Sequence, residues 1–312
     1  MPTTATTSQT PPMLGGVTSY SETMLEVRPA ALDQTTVQRI VEMALAEDGA
    51  RNDVTTKALV PADQTGRALI VAKEEGVIAG LPVAAAAFAA LDSGIHFVPS
   101  VPEGATIAPG DTLAEIEGAV APILSAERVA LNFLQQLSGV ATLTHALVEV
   151  VAGLPARIVD TRKTTPGLRE LERYAVRVGG GQNHRFNLSD GVLIKDNHIA
   201  AARERELTIA QIVERARRSV SHTLRVEIEV TSLTEAREAL DAGADVILLD
   251  NMAPADMREA VDLARGRAIT EASGGVTLQT VREIAETGVD LISVGAITHS
   301  APAIDMSLGL ED

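Results

Sequence analysis

Between Arg157 and His198 the chain gathers side chains able to grip a small polyanion. Thr161-Arg162-Lys163 follows one apolar run, His184-Arg185 lies in a polar loop, and Lys195 follows a second apolar run. The stretch holds eight Lys or Arg (157, 162, 163, 169, 173, 177, 185, 195) against five Asp or Glu, whereas the other 270 residues hold 18 basic and 37 acidic side chains. In a protein of net charge −16, such an island concentrates positive potential at one place while the remainder repels anions. Its arginines suit a planar carboxylate, which they can hold through two parallel hydrogen bonds. His184 can serve as a proton donor, a carboxylate-binding cation or an ordinary loop residue.

Acidic and glycine-rich segments follow the island. Glu229 and Asp250 stand near the C-terminal edges of the consecutive apolar runs VEIEV and VILLD, and Glu227 shares the face of Glu229 by the two-residue repeat of a strand. Such carboxylates can accept hydrogen bonds from sugar hydroxyls or hold Mg²⁺ beside a diphosphate. Paired-carboxylate hydrolysis is a third use, but it leaves the neighbouring cations without a purpose. Ser273-Gly274-Gly275 and Val294-Gly295-Ala296 each follow an apolar run, the first leading into a helix expected from Val276-Thr277. Their backbone N–H groups either cradle phosphate or form ordinary strand-to-helix turns. Arg128 lies three residues after Ser125, read as a helix N-cap. A cation there opposes the helix dipole by about 0.3–1 kcal/mol where exposed, so Arg128 is either simply solvated or kept for an anionic ligand. Arg169, Arg173 and Arg177, four residues apart on a helix expected over 166–178, read as a solvated stripe.

These residues need elements to position them. Apolar runs recur at 157–160, 191–194, 224–230, 245–249, 268–271 and 290–294, separated by helical patterns at 166–178, 208–219, 233–241, 254–265 and 277–287. This alternation predicts a parallel sheet with crossover helices, and six units in a row favour a barrel. Asp160, Lys195, Glu229, Asp250, Glu271 and Gly295 end those runs, and in a (β/α) barrel such ends converge on one mouth. The chain before the island differs. A helix is expected over 35–46, a turn or cap at Asn52–Thr56, two strands within 66–80, and a buried helix at Leu81–Leu91. Short strands follow over 95–118, without the lysine a prosthetic-group carrier needs, and a long helix is expected from Ser125 to about Val151.

Composition sets the outer bounds. The chain has no cysteine, which excludes disulfides, thiolate metal sites and a cysteine nucleophile. Its acidity argues against nucleic-acid or anionic-membrane partners, and its longest apolar run, Leu81–Leu91, is too short to span a bilayer. Residues 1–22, rich in Thr, Ser, Pro and Gln and lacking Lys and Arg, read as a disordered tail. The expectation is a soluble, cytoplasmic enzyme or binding protein.

Several segments carry a resemblance. TRKTTPGLRELERYAV, the GGG and HR that follow it, LIKDNH, EDGARNDVTT, SAERVALNFLQQLSGVAT, VEIEV with LLDNM, EASGGV and SVGAITHS together resemble the quinolinate phosphoribosyltransferase family (nicotinate-nucleotide diphosphorylase, carboxylating), over about 38–309. The resemblance implies an α/β N-terminal domain (23–138), an incomplete (β/α) TIM-like barrel (139–297) and a C-terminal segment (298–312) packing back on the N-terminal domain. It also implies a homodimer in which Arg128 completes the neighbouring subunit's site. Arg162, His184, Arg185 and Lys195 would hold the two carboxylates of quinolinate, with Thr161 as a further substrate-binding residue. Lys163, Glu229 and Asp250 would do the catalytic work, meeting the ribose, diphosphate and Mg²⁺ of phosphoribosyl pyrophosphate. Glu229 and Asp250 would serve as metal carboxylates, directly or through water. Ser273, Gly274, Gly275, Val294, Gly295 and Ala296 would take phosphate groups. The rival readings are a related enzyme acting on nicotinate, and a non-catalytic phosphate-sensing barrel in which Glu229 and Asp250 would repel the ligand.

Overall fold

The computed structural model describes residues 32–311, so the tail expected over 1–22 lies outside the described residues. Helix α1 (Gln34–Asp48) begins where Asp33 accepts the Thr36 N–H at 2.8 Å and ends at Gly49, whose φ of 67° only glycine adopts freely. Asp53 accepts the N–H groups of Thr55 and Thr56 and so caps α2 (Val54–Leu59), which makes the expected turn or cap the start of a short helix. The chain continues through β1 (Thr65–Ala72), β2 (Gly76–Val77), α3 (Leu81–Leu91), β3 (His96–Pro99), β4 (Thr106–Ile107) and β5 (Thr112–Ala119).

Strand β5 runs straight into α4 (Val120–Val150), a 31-residue helix about 46 Å long by its rise per residue. The helix starts five residues before Ser125 and corrects the expected cap. Ser125 lies inside it and donates to Asp53 Oδ2 at 3.1 Å instead. Arg128 consequently sits in the third turn, beyond the reach of the N-terminal dipole cost weighed above.

The second half alternates as the periodicity predicts: β6 (Arg157–Val159), α5 (Arg169–Val178), β7 (Val192–Ile194), α6 (Asp196–Arg203), α7 (Ile209–Ser219), β8 (Val226–Val230), α8 (Leu233–Asp241), β9 (Val246–Asp250), α9 (Pro254–Ala264), β10 (Ile269–Ser273), α10 (Val281–Ala285), β11 (Leu291–Ser293) and α11 (Ala296–His299). The six strands form one parallel sheet in the order β6-β11-β10-β9-β8-β7. Its two edge strands do not pair with each other, so the barrel is incomplete. Three local expectations change. α5 starts at Arg169 rather than 166, α10 starts at Val281 rather than directly after Gly275, and β10 runs on past Glu271 to Ser273.

Strand β12 (Met306–Leu310) leaves the barrel and pairs antiparallel with β1, completing a sheet ordered β12-β1-β5-β3. The segment leading to it runs along α4. The Ile304 N–H donates to the Gln135 carbonyl at 3.1 Å, and Gln135 Nε2 donates to the Met306 carbonyl at 3.0 Å. Four residues further along α4, Gly139 faces the Pro302 carbonyl so closely that a β-carbon has no room. No helix among the described residues is long and apolar enough to cross a membrane.

Gly139→Ala separates propensity from packing. Alanine gains about 1 kcal/mol in a helix interior, whereas forcing a methyl against backbone costs about 1–3 kcal/mol. Packing is expected to win, and denaturant unfolding should report a less stable protein. A more stable Gly139→Ala variant would show that the C-terminal segment yields freely.

Candidate functional site

The loop that carries His184 and Arg185 is held from beneath by α5. Arg169 Nη1 donates to the Phe186 carbonyl (3.2 Å), Arg173 Nη1 to the Arg185 carbonyl (3.3 Å), and Arg177 to the Asn183 side chain. Arg173 also lies over the Phe186 ring, 5.2 Å from its centre. The i, i+4, i+8 stripe is therefore a clamp on Phe186, Arg185 and Asn183 of the loop, not the solvated face expected from spacing, and Arg173 is buried. Asp160, directly after β6 and also buried, draws these parts together. It accepts from Arg173 Nη1 (3.3 Å), Asn183 Nδ2 (2.6 Å) and the His184 N–H (2.8 Å). Burial pushes the Asp160 carboxyl above its ordinary pKa and the Arg173 guanidinium below its own, and their pairing offsets part of both shifts.

A further contact ties α5 to the N-terminal part of the chain. Glu103 accepts from the N–H groups of Gly80 (3.0 Å) and Leu81 (2.6 Å), where α3 begins, and from Tyr174 Oη (2.9 Å). Burial raises the pKa of both Glu103 and Tyr174.

A cavity of about 250 Å³ at the C-terminal ends of the barrel strands is lined by Thr161, Arg162, Lys163, His184, Arg185 and Lys195, together with Glu271, Ser273 and Ser293. Arg162 and Arg185 each bury an Nε that has no hydrogen-bond partner. Burial holds the Arg185 pKa below its ordinary value, and the neighbouring Arg162 charge adds to the effect. Like charges placed together with unused donors are a standing demand for an anion.

Beneath the cations, strand alternation aims carboxylates inward. His184 Nε2 lies 3.3 Å from Glu227 Oε2 and 3.4 Å from Glu271 Oε2. The ligand atoms of His184, Glu227 and Glu271 all lie within 4.8 Å of one another, a group that can hold a divalent metal. Glu227 keeps one buried oxygen without a hydrogen-bond partner, and Glu271 keeps both. Burial opposes a charge on His184, but the two carboxylates outweigh it and push its pKa up to about 10. The Arg185 N–H donates to His184 Nδ1 at 2.7 Å, so in this arrangement the ring proton sits on Nε2, between the glutamates. A second proton on Nδ1 would have to displace that N–H.

The remaining strand-end candidates are not among the residues lining this cavity but lie beside ones that are. Lys195 Nζ meets Glu229 Oε2 at 2.8 Å. Asn251 Nδ2 donates to Asp250 Oδ2 at 3.0 Å. Strand pairing sets Ser273 opposite Asp250, and Gly274 and Gly275 follow with positive φ. The Lys163 side chain lies against Gly295, where a β-carbon would stand 2.9 Å from Lys163 Cδ, and Thr298 Oγ1 donates to the Lys163 carbonyl at 2.7 Å. Val294 is buried at the end of β11, and Ala296 opens α11. Arg128 does not line this cavity. Its side chain is 59% exposed on α4, with Glu127 4.0 Å away. The period of β8 places Glu227 facing inward and the strand ends place Glu271 at the mouth, but the contact of both with His184 is visible only in the tertiary structure.

Arg173→Met should strand the buried Asp160 carboxylate. The expected loss is about 3–5 kcal/mol of unfolding free energy, read from denaturant midpoints. A loss below about 1 kcal/mol would mean that Asn183 and the His184 N–H satisfy Asp160 without it.

Comparisons with known proteins place this geometry in a family. The model of the C-terminal domain of quinolinate phosphoribosyl transferase matches residues 140–309, and that of its N-terminal domain matches 53–138. A probable carboxylating nicotinate-nucleotide pyrophosphorylase of Bacillus subtilis is 41% identical over 272 residues, covering 87% of this chain and 92% of that protein. The chloroplastic carboxylating nicotinate-nucleotide pyrophosphorylase of Oryza sativa is 39% identical, covering 93% of this chain and 82% of that protein. The solved nicotinate-nucleotide pyrophosphorylase of Francisella tularensis superposes with a TM-score of 0.85 at 40% identity, covering 90% of this chain and 98% of that one. With both domain models matched in order, and the cationic cavity lying wholly within the second, the chain belongs to the quinolinate phosphoribosyltransferase family.

Proposed function

We infer that the chain transfers a phosphoribosyl group from phosphoribosyl pyrophosphate to quinolinate with decarboxylation, giving nicotinate mononucleotide, diphosphate and CO₂. The observation that carries the substrate reading is the pair Arg162 and Arg185, each with a buried unpartnered Nε, which line one cavity with Lys195 and His184. The cations Arg162, Arg185 and Lys195 suit the two carboxylates of a pyridine dicarboxylate better than the single one of nicotinate. A phosphate sensor would have no use for the acidic groups below and beside them.

The chemistry then requires little covalent help from the protein. Arg162, His184, Arg185 and Lys195, with Thr161, orient quinolinate so that its ring nitrogen faces C1 of the ribose. The new N–C1 bond forms as the bond from C1 to the diphosphate oxygen breaks, through a transition state with positive charge on the sugar. Glu229 and Asp250 favour that charge electrostatically, while Lys163 and the turns at Ser273-Gly274-Gly275 and Val294-Gly295-Ala296 take phosphate oxygens. The product nitrogen is quaternary, so loss of the adjacent C2 carboxylate as CO₂ leaves a carbanion stabilised by N⁺, which then takes a proton. The enzyme contributes orientation and exclusion of water.

Bound Mg²⁺ would neutralise charge on the departing diphosphate. Glu229 and Asp250 suit it as oxygen donors beside the cavity, since each keeps one oxygen outside its contact with Lys195 or Asn251. The deeper group offers an imidazole whose Nε2 carries the proton, a poorer match for so hard a cation.

The reading includes a homodimer in which Arg128 enters the neighbouring subunit's site. Val54 and Leu59 of α2 are 72% and 76% exposed, beside a cavity of about 760 Å³ that reaches Asp53, Lys57 and Ser125. An apolar surface so close to an uncommitted arginine supports a second copy as its cover. A cytoplasmic setting belongs to the same reading and agrees with the absence of cysteine.

Diphosphate and CO₂ release, measured on mixing phosphoribosyl pyrophosphate with quinolinate or with nicotinate, tests the reaction, and turnover with nicotinate alone overturns the substrate reading. Arg162→Lys should raise KM for quinolinate by about 10-fold or more, the loss of a charge-assisted bidentate contact, and leave KM for phosphoribosyl pyrophosphate nearly unchanged. Equal increases for both reject the role given to Arg162. An inactive Arg128→Ala subunit mixed with an inactive Lys163→Ala subunit should regain activity in one site of the hybrid dimer. No recovery, once subunit exchange is demonstrated by mass, rejects the shared site.

A further inference from the structure

We propose that Asn251 is a positioning residue for the phosphoribosyl half of the site, acting on Asp250 and on the Ser273-Gly274-Gly275 turn together. The proposal rests on the reading of those groups given above. Asn251 is exposed, yet its backbone is left-handed with φ of 52°, a conformation adopted by only one other non-glycine among the described residues, Glu206. Asparagine tolerates that region better than most residues, but it is still costly for any residue with a β-carbon. Surface solvation alone gives no reason to keep it.

Three contacts supply the reason. The Asn251 N–H donates to the Ser273 carbonyl at 2.9 Å, which continues the β9–β10 ladder one residue past the Asp250–Ser273 pair. The Asn251 carboxamide then folds over Gly274. A β-carbon at Gly274 would fall onto its Cγ and Oδ1 and lie 2.6 Å from its Nδ2. Finally, Nδ2 donates to Asp250 Oδ2 at 3.0 Å. The left-handed turn thus directs one side chain across the gap between two strand ends. There it occupies one carboxylate oxygen of Asp250 and leaves the other for ligand, and it packs on the glycine whose absent side chain opens the turn. A group that fixes both the carboxylate and the turn should govern how the donor binds and leave the cationic pocket for the acceptor alone.

Two variants separate this from a purely conformational role. Asn251→Gly adopts φ of 52° without strain but has no carboxamide. Asn251→Asp keeps the shape and much of the left-handed tolerance but sets a carboxylate against Asp250. Both should raise KM for phosphoribosyl pyrophosphate by about 10–100-fold, the usual range when a residue that orients a first-contact ligand is lost. The Asp variant should be the worse, and KM for quinolinate should stay within about two-fold in either. Thermal unfolding of each variant checks that the fold is kept. Asp250→Asn run alongside serves as the reference. If it raises KM for the donor while Asn251→Gly behaves as wild type, Asn251 matters only through its backbone and the proposal is overturned, with the reading of Asp250 intact. If Asp250→Asn itself leaves donor binding unchanged, the reading of Asp250 fails and the proposal falls with it. Equal rises in KM for donor and acceptor also overturn it.

Discussion

A carboxylate with no access to water has to be answered by donors from the protein, and in this chain that demand falls on Asp160. It ends the first barrel strand, and its three donors come from α5 and from the loop before β7. Because the barrel is not closed between β6 and β7, no backbone ladder holds those two edges together. A single backbone bridge between Val159 and Gln182, together with the Asp160 network, ties the β6 edge to the loop before β7. The same network aims the site, since the residue that gives Asp160 its backbone N–H is His184 and the next is Arg185. A polar group that costs free energy to bury is thereby turned into a device that fixes one loop conformation.

The interior of the barrel balances charge in layers. Val246, Ile269 and Leu291 line its lower end together with Glu227 and Glu271, which strand pairing sets beside Val246 and Leu291, and the cations line the upper cavity. Without substrate the cations partly face one another, and the buried acids beneath moderate their repulsion without saturating the guanidinium groups. The protein folds with a deficit of negative charge in this cavity, a cost to stability that a bound anion would relieve.

The sequence made the architecture legible wherever burial imposes a period. All six barrel strands and the helices α7, α8 and α9 lie within a residue or two of the expected positions, because one face of each must stay apolar. The clustering of Arg162, Lys163, His184, Arg185 and Lys195 followed from strand ends meeting at one mouth. What stayed hidden has common physical causes. Arg169, Arg173 and Arg177 carry the spacing of a solvated face, and only the returning loop turns them into a clamp. Helix α6 follows Lys195 so closely that its few apolar positions gave no readable period, and α10, expected over 277–287, forms only over Val281–Ala285. Ser125 looks like a cap, but β5 passes into α4 without a break and leaves no terminus there to cap. Asn251 sits in a run that reads as loop, and its role depends on a neighbouring strand more than twenty residues further on.

The return of β12 to β1 carries a consequence for synthesis. Ala68 pairs with Leu310, so one seam of the first sheet joins residues 242 positions apart. While the chain is being made, β1 has its β5 partner early, but its other edge stays bare until the whole barrel has been translated. Contacts of such long range form late and slowly, and an open strand edge is a template for pairing with other chains. The nascent protein therefore has to protect that edge for the full length of barrel synthesis, and the first sheet is finished only when its last strand has cleared the ribosome.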